Sequence, residues 1–302
     1  TPTQGHVLTV DGSGEASFAA VEGGVTSDAQ YNTVAGTNAG DSFSGTSAQR
    51  NTLIGYNVGT NISSADDNTA VGYNVLLNQT TGSNNVALGS HVMDASTSAY
   101  NNVAIGNYAM TKATNCNKNV AIGFEVANEL TTGQRNVLIG HYAGYDLTSG
   151  SFNTFVGDFA GANASNSSAD NTCIGQNAGF AFNGSNNILI GHDAAVSSYT
   201  VSNEITLGSS SITKFRVPGC GGFNIDTNGH VLPGSNNASD LGTSALRWRN
   251  LYTNDLNLSN EGSTNSIDNT WGDYTIQEGE SDLFLINNRN GKKYKFNLTE
   301  VS

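Results

Sequence analysis

The sequence predicts an all-β fold: a parallel β-solenoid, or β-roll, of about ten 17-residue rungs followed by a small β-rich C-terminal domain. Three observations carry that expectation. The pattern Asn-x-x-aliphatic-Gly starts at Asn32, Asn51, Asn68, Asn85, Asn102, Asn119, Asn136, Asn153, Asn171 and Asn187, with spacings of 19, then six of 17, then 18 and 16. A period this short suits a rung of strands and turns better than a helical hairpin. The 302 residues include 36 Gly but only 3 Pro, and 12% are charged, an unusual mixture for a mixed α/β enzyme. Within each copy the second to fourth positions are mostly aliphatic, and on a strand of period two the second and fourth share one face while the third lies on the other.

The chain divides into 1–30, 31–217 and 218–302. In the first part "HVLTV" alternates, Asp11 to Gly14 interrupts it, and a second short strand follows, which reads as a β-cap or shaft connector. The chain opens at Thr1 rather than Met, which points to a fragment or a processed product.

In the repeat region each column has a physical task. With the recurring Asn as the first position, "NVLIGHYAG" runs from Asn136 to Gly144. Stacked Asn136-type amides form hydrogen-bond ladders between rungs. Gly140 and its equivalents supply positive φ or a close backbone approach. Gly82, Gly133, Gly150 and Gly184, three residues before an Asn, mark a second corner. Small residues such as Val58, Ala109 and Ala143 lie between corners, and "ANASNSSAD" reads as polar outer turn. The second and fourth positions, Val137 and Ile139, are assigned to the interior, and the third, Leu138, to the outer face. Because the third column is apolar throughout, that outer ribbon predicts packing against identical copies.

The last part carries hairpin signals at Asn228-Gly229 and Asn290-Gly291. Near the end Tyr294, Phe296 and Leu298 alternate with Lys293, Lys295 and Asn297, one face buried and one solvated. Lys292, Lys293 and Lys295 are candidates for contact with anionic sugars, weighed against a plain solubilising role on an edge strand.

Charge narrows the function classes. There are 12 Lys and Arg against 25 Asp and Glu, a net charge of -13, with no basic cluster, so nucleic acid is disfavoured. No apolar run approaches the length of a membrane span, and no membrane insertion is expected. Cys116, Cys173 and Cys220 are not a disulfide framework. His141 and His192 share a column about 14 Å apart, too far for one metal ion. Glu125, Asp158 and Asp193 stand on rungs about 10 Å apart at closest, a poor match to glycosidase carboxyl spacings. Asp226 and Asn228 lack the rest of a calcium loop. The expectation is therefore no enzyme, no metal and no cofactor. The functional candidates are aromatic residues after the corner Gly: Tyr56, Tyr73, Tyr108, Phe124, Tyr142 and Phe159. They suit either a sugar-binding platform or packing between subunits.

"NVAIGNYAM", "NVAIGFEVA" and "NVLIGHYAG" resemble the head repeats of trimeric autotransporter adhesins, and similar repeats occur in bacteriophage tail fibres. The resemblance spans about residues 32 to 208. "ASDLGTSALRWRNLYTNDLNLSN", with Leu241, Gly242, Arg247, Trp248, Leu251 and Tyr252, looks like a segment of phage tail fibres, which favours the phage reading. What the resemblance implies is a homotrimer in the virion, acting outside the host cell. Its partners would be other tail or virion proteins at the N-terminal end and a host-surface polysaccharide or protein receptor, bound multivalently. A bacterial adhesin head and a glycan-depolymerising tailspike are the alternatives.

Overall fold

The structure, a computed structural model, describes residues 6–10, 16–20, 26–43, 47–216, 224–226, 228–235, 240–261 and 263–297. These residues form strands and turns and no helix. The chain has two compact units, Thr1–Phe215 and Arg216–Ser302.

The first unit is the solenoid. Eleven short strands, from Thr33–Ala35 to Ile205–Leu207, lie side by side in chain order, and Thr26–Ser27 closes the first edge antiparallel. The register is one full repeat per step: Val137, Leu138 and Ile139 pair in parallel with Val120, Ala121 and Ile122 on one side and with Thr154, Phe155 and Val156 on the other. Outside the strands the rungs still bond to one another. Gly59 N–H donates to the Val75 carbonyl at 2.9 Å and Leu76 N–H to Val92 at 3.0 Å. Thr80 N–H likewise reaches Thr97 at 2.9 Å. So short a rung is stable because its turns satisfy their backbone groups in the next copy. Upstream, His6–Val10 and Ala16–Ala20 form the expected antiparallel pair, while the intervening 11–15 lie outside the described residues.

The faces are the reverse of the expected ones. Leu138 is fully buried, as are its equivalents Leu53, Ala70, Ala87, Ala104, Ala121, Phe155, Cys173 and Leu189. Val137 is 36% exposed, Ile174 and Ile190 are each 39% exposed, and Ile139 is half-buried. Alternation of period two separates two faces without naming the inner one. What selects it is volume. Where the third residue is large (Leu53, Leu138, Phe155) the ninth is Gly59, Gly144 or Gly161, and an added Cβ there would collide with that same large side chain. Where the third residue is Ala70, Ala87 or Ala104, the ninth is Leu76, Met93 or Met110, buried beside it. In these six rungs a large side chain in one column faces a small one in the other, so the two columns share the narrow interior; the rung of Asn119 departs from this, with Ala121 and Ala127 in the two columns, both buried.

A second exchange corrects the reading of Gly133 and Gly150 as corners. Neither is in the left-handed region, and a Cβ on Gly150 would meet Leu147 and the Ser168 carbonyl. Other rungs carry buried Ala65, Ala99 or Cys116 in that column, so it is a small interior position facing the twelfth. "ANASNSSAD" is not wholly outer either, since Ala162, Ala164 and Ser168 are buried. Gly140 does require glycine: its φ is +138°, and a Cβ would lie 2.2 Å from the Gly157 carbonyl oxygen.

The asparagine ladder forms. Asn136 Nδ2 donates to Asn119 Oδ1 at 3.0 Å and to the Gly150 carbonyl at 3.0 Å. Its own Oδ1 accepts the Asn153 backbone N–H at 2.9 Å and Nδ2 at 3.1 Å. The same amide links run from Asn32 to Asn171. Two acids finish the ladder. Asp28 accepts Asn32 N–H at 2.9 Å and Nδ2 at 2.8 Å, standing where a preceding Asn would be. Glu204 replaces Asn in the eleventh copy, donating its N–H to Asn187 Oδ1 at 3.0 Å.

In the second unit, Asn224–Asp226 pairs antiparallel with Val231–Leu232 across Asn228-Gly229. Asp226 is occupied by this turn, accepting Asn228 and His230 N–H at 2.9 Å each. A four-stranded antiparallel sheet follows, Asp255–Ser259, Asp273–Glu278, Leu283–Asn287 and Lys293–Lys295. Its cross-strand partners Leu256 and Ile276, Leu258 and Tyr274, and Leu285 and Tyr294 share one face. That face is open rather than buried as expected, with Tyr294 47% exposed. Leu298 and Cys220 lie outside the described residues.

Candidate binding surface

The corner at Gly140 turns the chain off the outer sheet, and the sixth and seventh positions project along the resulting edge. The seventh position adopts left-handed backbone in nearly every rung, with Tyr108 at φ 60°, Glu125 at 50°, Tyr142 at 55° and Phe159 at 55°. Holding bulky residues there costs about 1–2 kcal/mol each, so the flanking turns and inter-rung bonds must enforce it.

All six expected aromatics lie on this edge, and they touch in sequence. Tyr56 stacks on Tyr73 at 5.3 Å between centroids, Tyr73 meets His91 at 5.4 Å, and His91 stacks on Tyr108 at 5.3 Å. Tyr108 reaches Phe124 at 6.3 Å, Phe124 reaches Tyr142 at 5.8 Å, and Tyr142 stacks on Phe159 at 5.1 Å. Phe180 ends the row, 6.2 Å from Phe159. Eight successive rungs contribute to this spine, which runs for roughly 34 Å at the usual strand spacing. Tyr56, Tyr73, Tyr108 and Phe124 are between 41% and 47% exposed.

Sequence reasoning missed His91, His141, Tyr145 and Phe180. Only the structure shows that side chains in the sixth, seventh and tenth columns meet. His141 Nδ1 sits 2.8 Å from Asp158 Oδ1, its ring among Phe124, Tyr142 and Phe159. His192 pairs with Asp193 at 3.1 Å. Among the described residues no three His, Cys, Asp or Glu side chains converge on one point. Asp66 and Asp67 are engaged by Arg50, at 3.5 and 2.7 Å. Asp158 stands two rungs from Glu125 and two rungs from Asp193 along the solenoid.

The spine is not uniform. From Tyr56 to Tyr108 the rings lie in a single row along the edge. Around Glu125, Tyr142, Tyr145, Phe159, Ala162 and Phe180 they surround an open depression of about 280 Å³. The field there is negative. Burial, then Glu125, raises the Tyr142 hydroxyl above its usual range. Tyr145 is raised in the same way, with Glu129 and Asp146 adding to the effect. Asp146 is itself pushed up by burial and by Glu129. Lys112, the nearby cation, is bound to Glu129 at 2.6 Å.

Lys292, Lys293 and Lys295 belong to the second unit and are exposed; Lys295 pairs with Asp282 at 2.7 Å. Cys116 and Cys173 are interior, their thiols pushed up to about 12 by burial. No helix of the described residues is long and apolar enough to cross a membrane. No protein-family model, curated protein or solved structure matches the chain.

Proposed function

We propose that the chain is a segment of a homotrimeric phage tail fibre that holds the virion to the host surface by multivalent, non-enzymatic binding. The observation that carries this reading is the outward apolar ribbon of the second and fourth columns. Val71, Val137, Ile174, Ile188 and Ile190 are between 36% and 39% exposed, and Ile205 and Leu207 are 67% and 52% exposed. Over ten rung steps the ribbon runs roughly 48 Å. With two side-chain columns across it, the second interrupted by Thr33, Thr52, Thr69, Thr154 and Thr172, its area is at most roughly 500 Å², within the range of the largest patch on a monomer. The need for a partner, argued from Leu138 in the sequence, thus passes to its neighbours Val137 and Ile139. The count of three and the virion setting come from the resemblance of the repeats and of Leu241–Tyr252. Leu241, Leu246, Trp248, Leu251 and Tyr252 are each at least 64% exposed in the single chain, a second apolar surface suited to a copy of itself.

A rigid trimer would present three aromatic edges together, and avidity would multiply weak contacts with repeated surface glycans. Sedimentation of the wild type should give a trimer. Ile122→Asp combined with Ile139→Asp should yield a folded monomer, whereas Leu138→Asp should fail to fold because it buries a charge in the solenoid. A monomeric wild type at micromolar concentration would sink the proposal. A cryo-EM map of the assembled particle tests the virion location, and neighbouring genes for a membrane-anchor barrel would favour an adhesin instead.

A further inference from the structure

The depression on the aromatic edge has a shape that the repeat itself explains. Tyr145 and Phe180 occupy the same tenth column two rungs apart, and the rung between them carries only Ala162. A notch results, with Tyr145 and Phe180 on either side and Phe159 among its lining residues. Two rung steps separate Tyr145 from Phe180 by about 10 Å along the column, and a carbon contacts a ring at about 3.5–4 Å. The space between therefore admits a group about 2–3 Å across its outer atoms, the span of an N-methylated or protonated amine.

The chemistry of the walls agrees with that size. Aromatic faces are electron-rich and attract cations. Glu125 lines the notch, and Glu129 and Asp146 act on the Tyr145 hydroxyl from the adjoining column. Among the described residues, Glu129 is the one of these three acids with a cation bound to it, Lys112. We propose that this notch binds an organic ammonium group, of the kind borne by choline or free amino-sugar substituents on surface glycans. The proposal rests on reading the aromatic edge as the contact surface, and it adds a charge requirement that a neutral sugar platform does not have.

The test is ligand-observed saturation-transfer NMR on the full chain, with choline against its neutral isostere 3,3-dimethylbutanol. Choline should bind at least about fivefold more tightly than the isostere. Glu125→Gln, which keeps the side chain's shape and removes its charge, and Tyr145→Ala should each weaken choline at least about threefold while the thermal midpoint of Glu125→Gln stays at the wild-type value. Glucosamine against N-acetylglucosamine, and lysine amide, then distinguish a glycan amine from a peptide one. Equal binding of choline and the isostere would overturn the proposal, as would absence of transfer to choline, or choline binding unchanged in both variants. If choline shows no transfer, or binds equally to wild type and both variants, while neutral glycans are retained, the ammonium site fails and attachment stands. If choline binds but neither glycan nor cell surface is retained, the site stands and attachment fails.

Discussion

Asn136 makes the clearest single-residue case. Fully buried, its amide spends both donors and accepts twice at one oxygen, so it links three consecutive rungs. Replacing it by Ala would leave the Asn153 backbone N–H and Nδ2 without their acceptor and strand the Gly150 carbonyl. Buried groups left unpaired cost about 1–3 kcal/mol apiece, so Asn136→Ala should lose at least about 3 kcal/mol in urea unfolding. A loss under ~1 kcal/mol would mean that water replaces the amide and that the ladder is incidental. Gly140 next to it is constrained differently, by φ and by the neighbouring carbonyl, which no side-chain rearrangement relieves.

At the scale of the rung, stability lies in paired columns. Ala104 and Met110 in one rung correspond to Leu53 and Gly59 in another. Ala104→Leu alone should overpack the interior and cost about 1–3 kcal/mol. Met110→Gly alone opens a cavity, partly offset by relief of the left-handed φ of 51° at that residue. The double variant recreates a pair the protein already uses, so its destabilisation should fall below the sum by at least about 1 kcal/mol. Additive losses in chemical denaturation would refute the exchange of volume. The period and the Asn and Gly columns were legible in the sequence. The facing was not, because neither column pair is local: the third residue meets the ninth only after the chain has turned at Gly140.

For the whole molecule, a stack in which each rung contacts its neighbours is exposed chiefly at its ends. Asp28 and Glu204 finish the ladder there, and both titrate below their ordinary values. For Asp28 burial alone would raise the carboxyl, but hydrogen bonds from Asn32 and Gln30 outweigh it. For Glu204 the bonds from Ser197 dominate. A lowered pKa stabilises the fold above the unfolded value, so this contribution is lost as pH falls below about 4. The interior thiols act in the opposite direction. Their folded pKa of about 12 exceeds the ordinary 9.0, so the unfolded chain sheds those protons first and stability declines as pH rises from 9 toward 12. Urea midpoints followed across pH should form a plateau with shoulders on both sides. Cys116→Ala, which installs the residue present at Ala65 and Ala99, should flatten the alkaline one. An unchanged alkaline slope in that variant would assign the decline to other groups.

The sequence by itself determined the rung: its 17-residue period, the amide that links each copy to the next, the glycine no other residue can replace, and two alternating apolar faces. These are local or strictly periodic properties, and one strand of text displays them. Only the tertiary structure decided which face is inside, because that depends on volumes contributed from opposite sides of a closed coil. It also decided that Tyr73, His91, Phe124 and Phe180, drawn from three columns, belong to one continuous aromatic edge. In "NVLIGHYAG" the period marks Asn136 and Gly140 as structural, while closure of the coil turns Leu138 inward and leaves Val137 and Ile139 facing out.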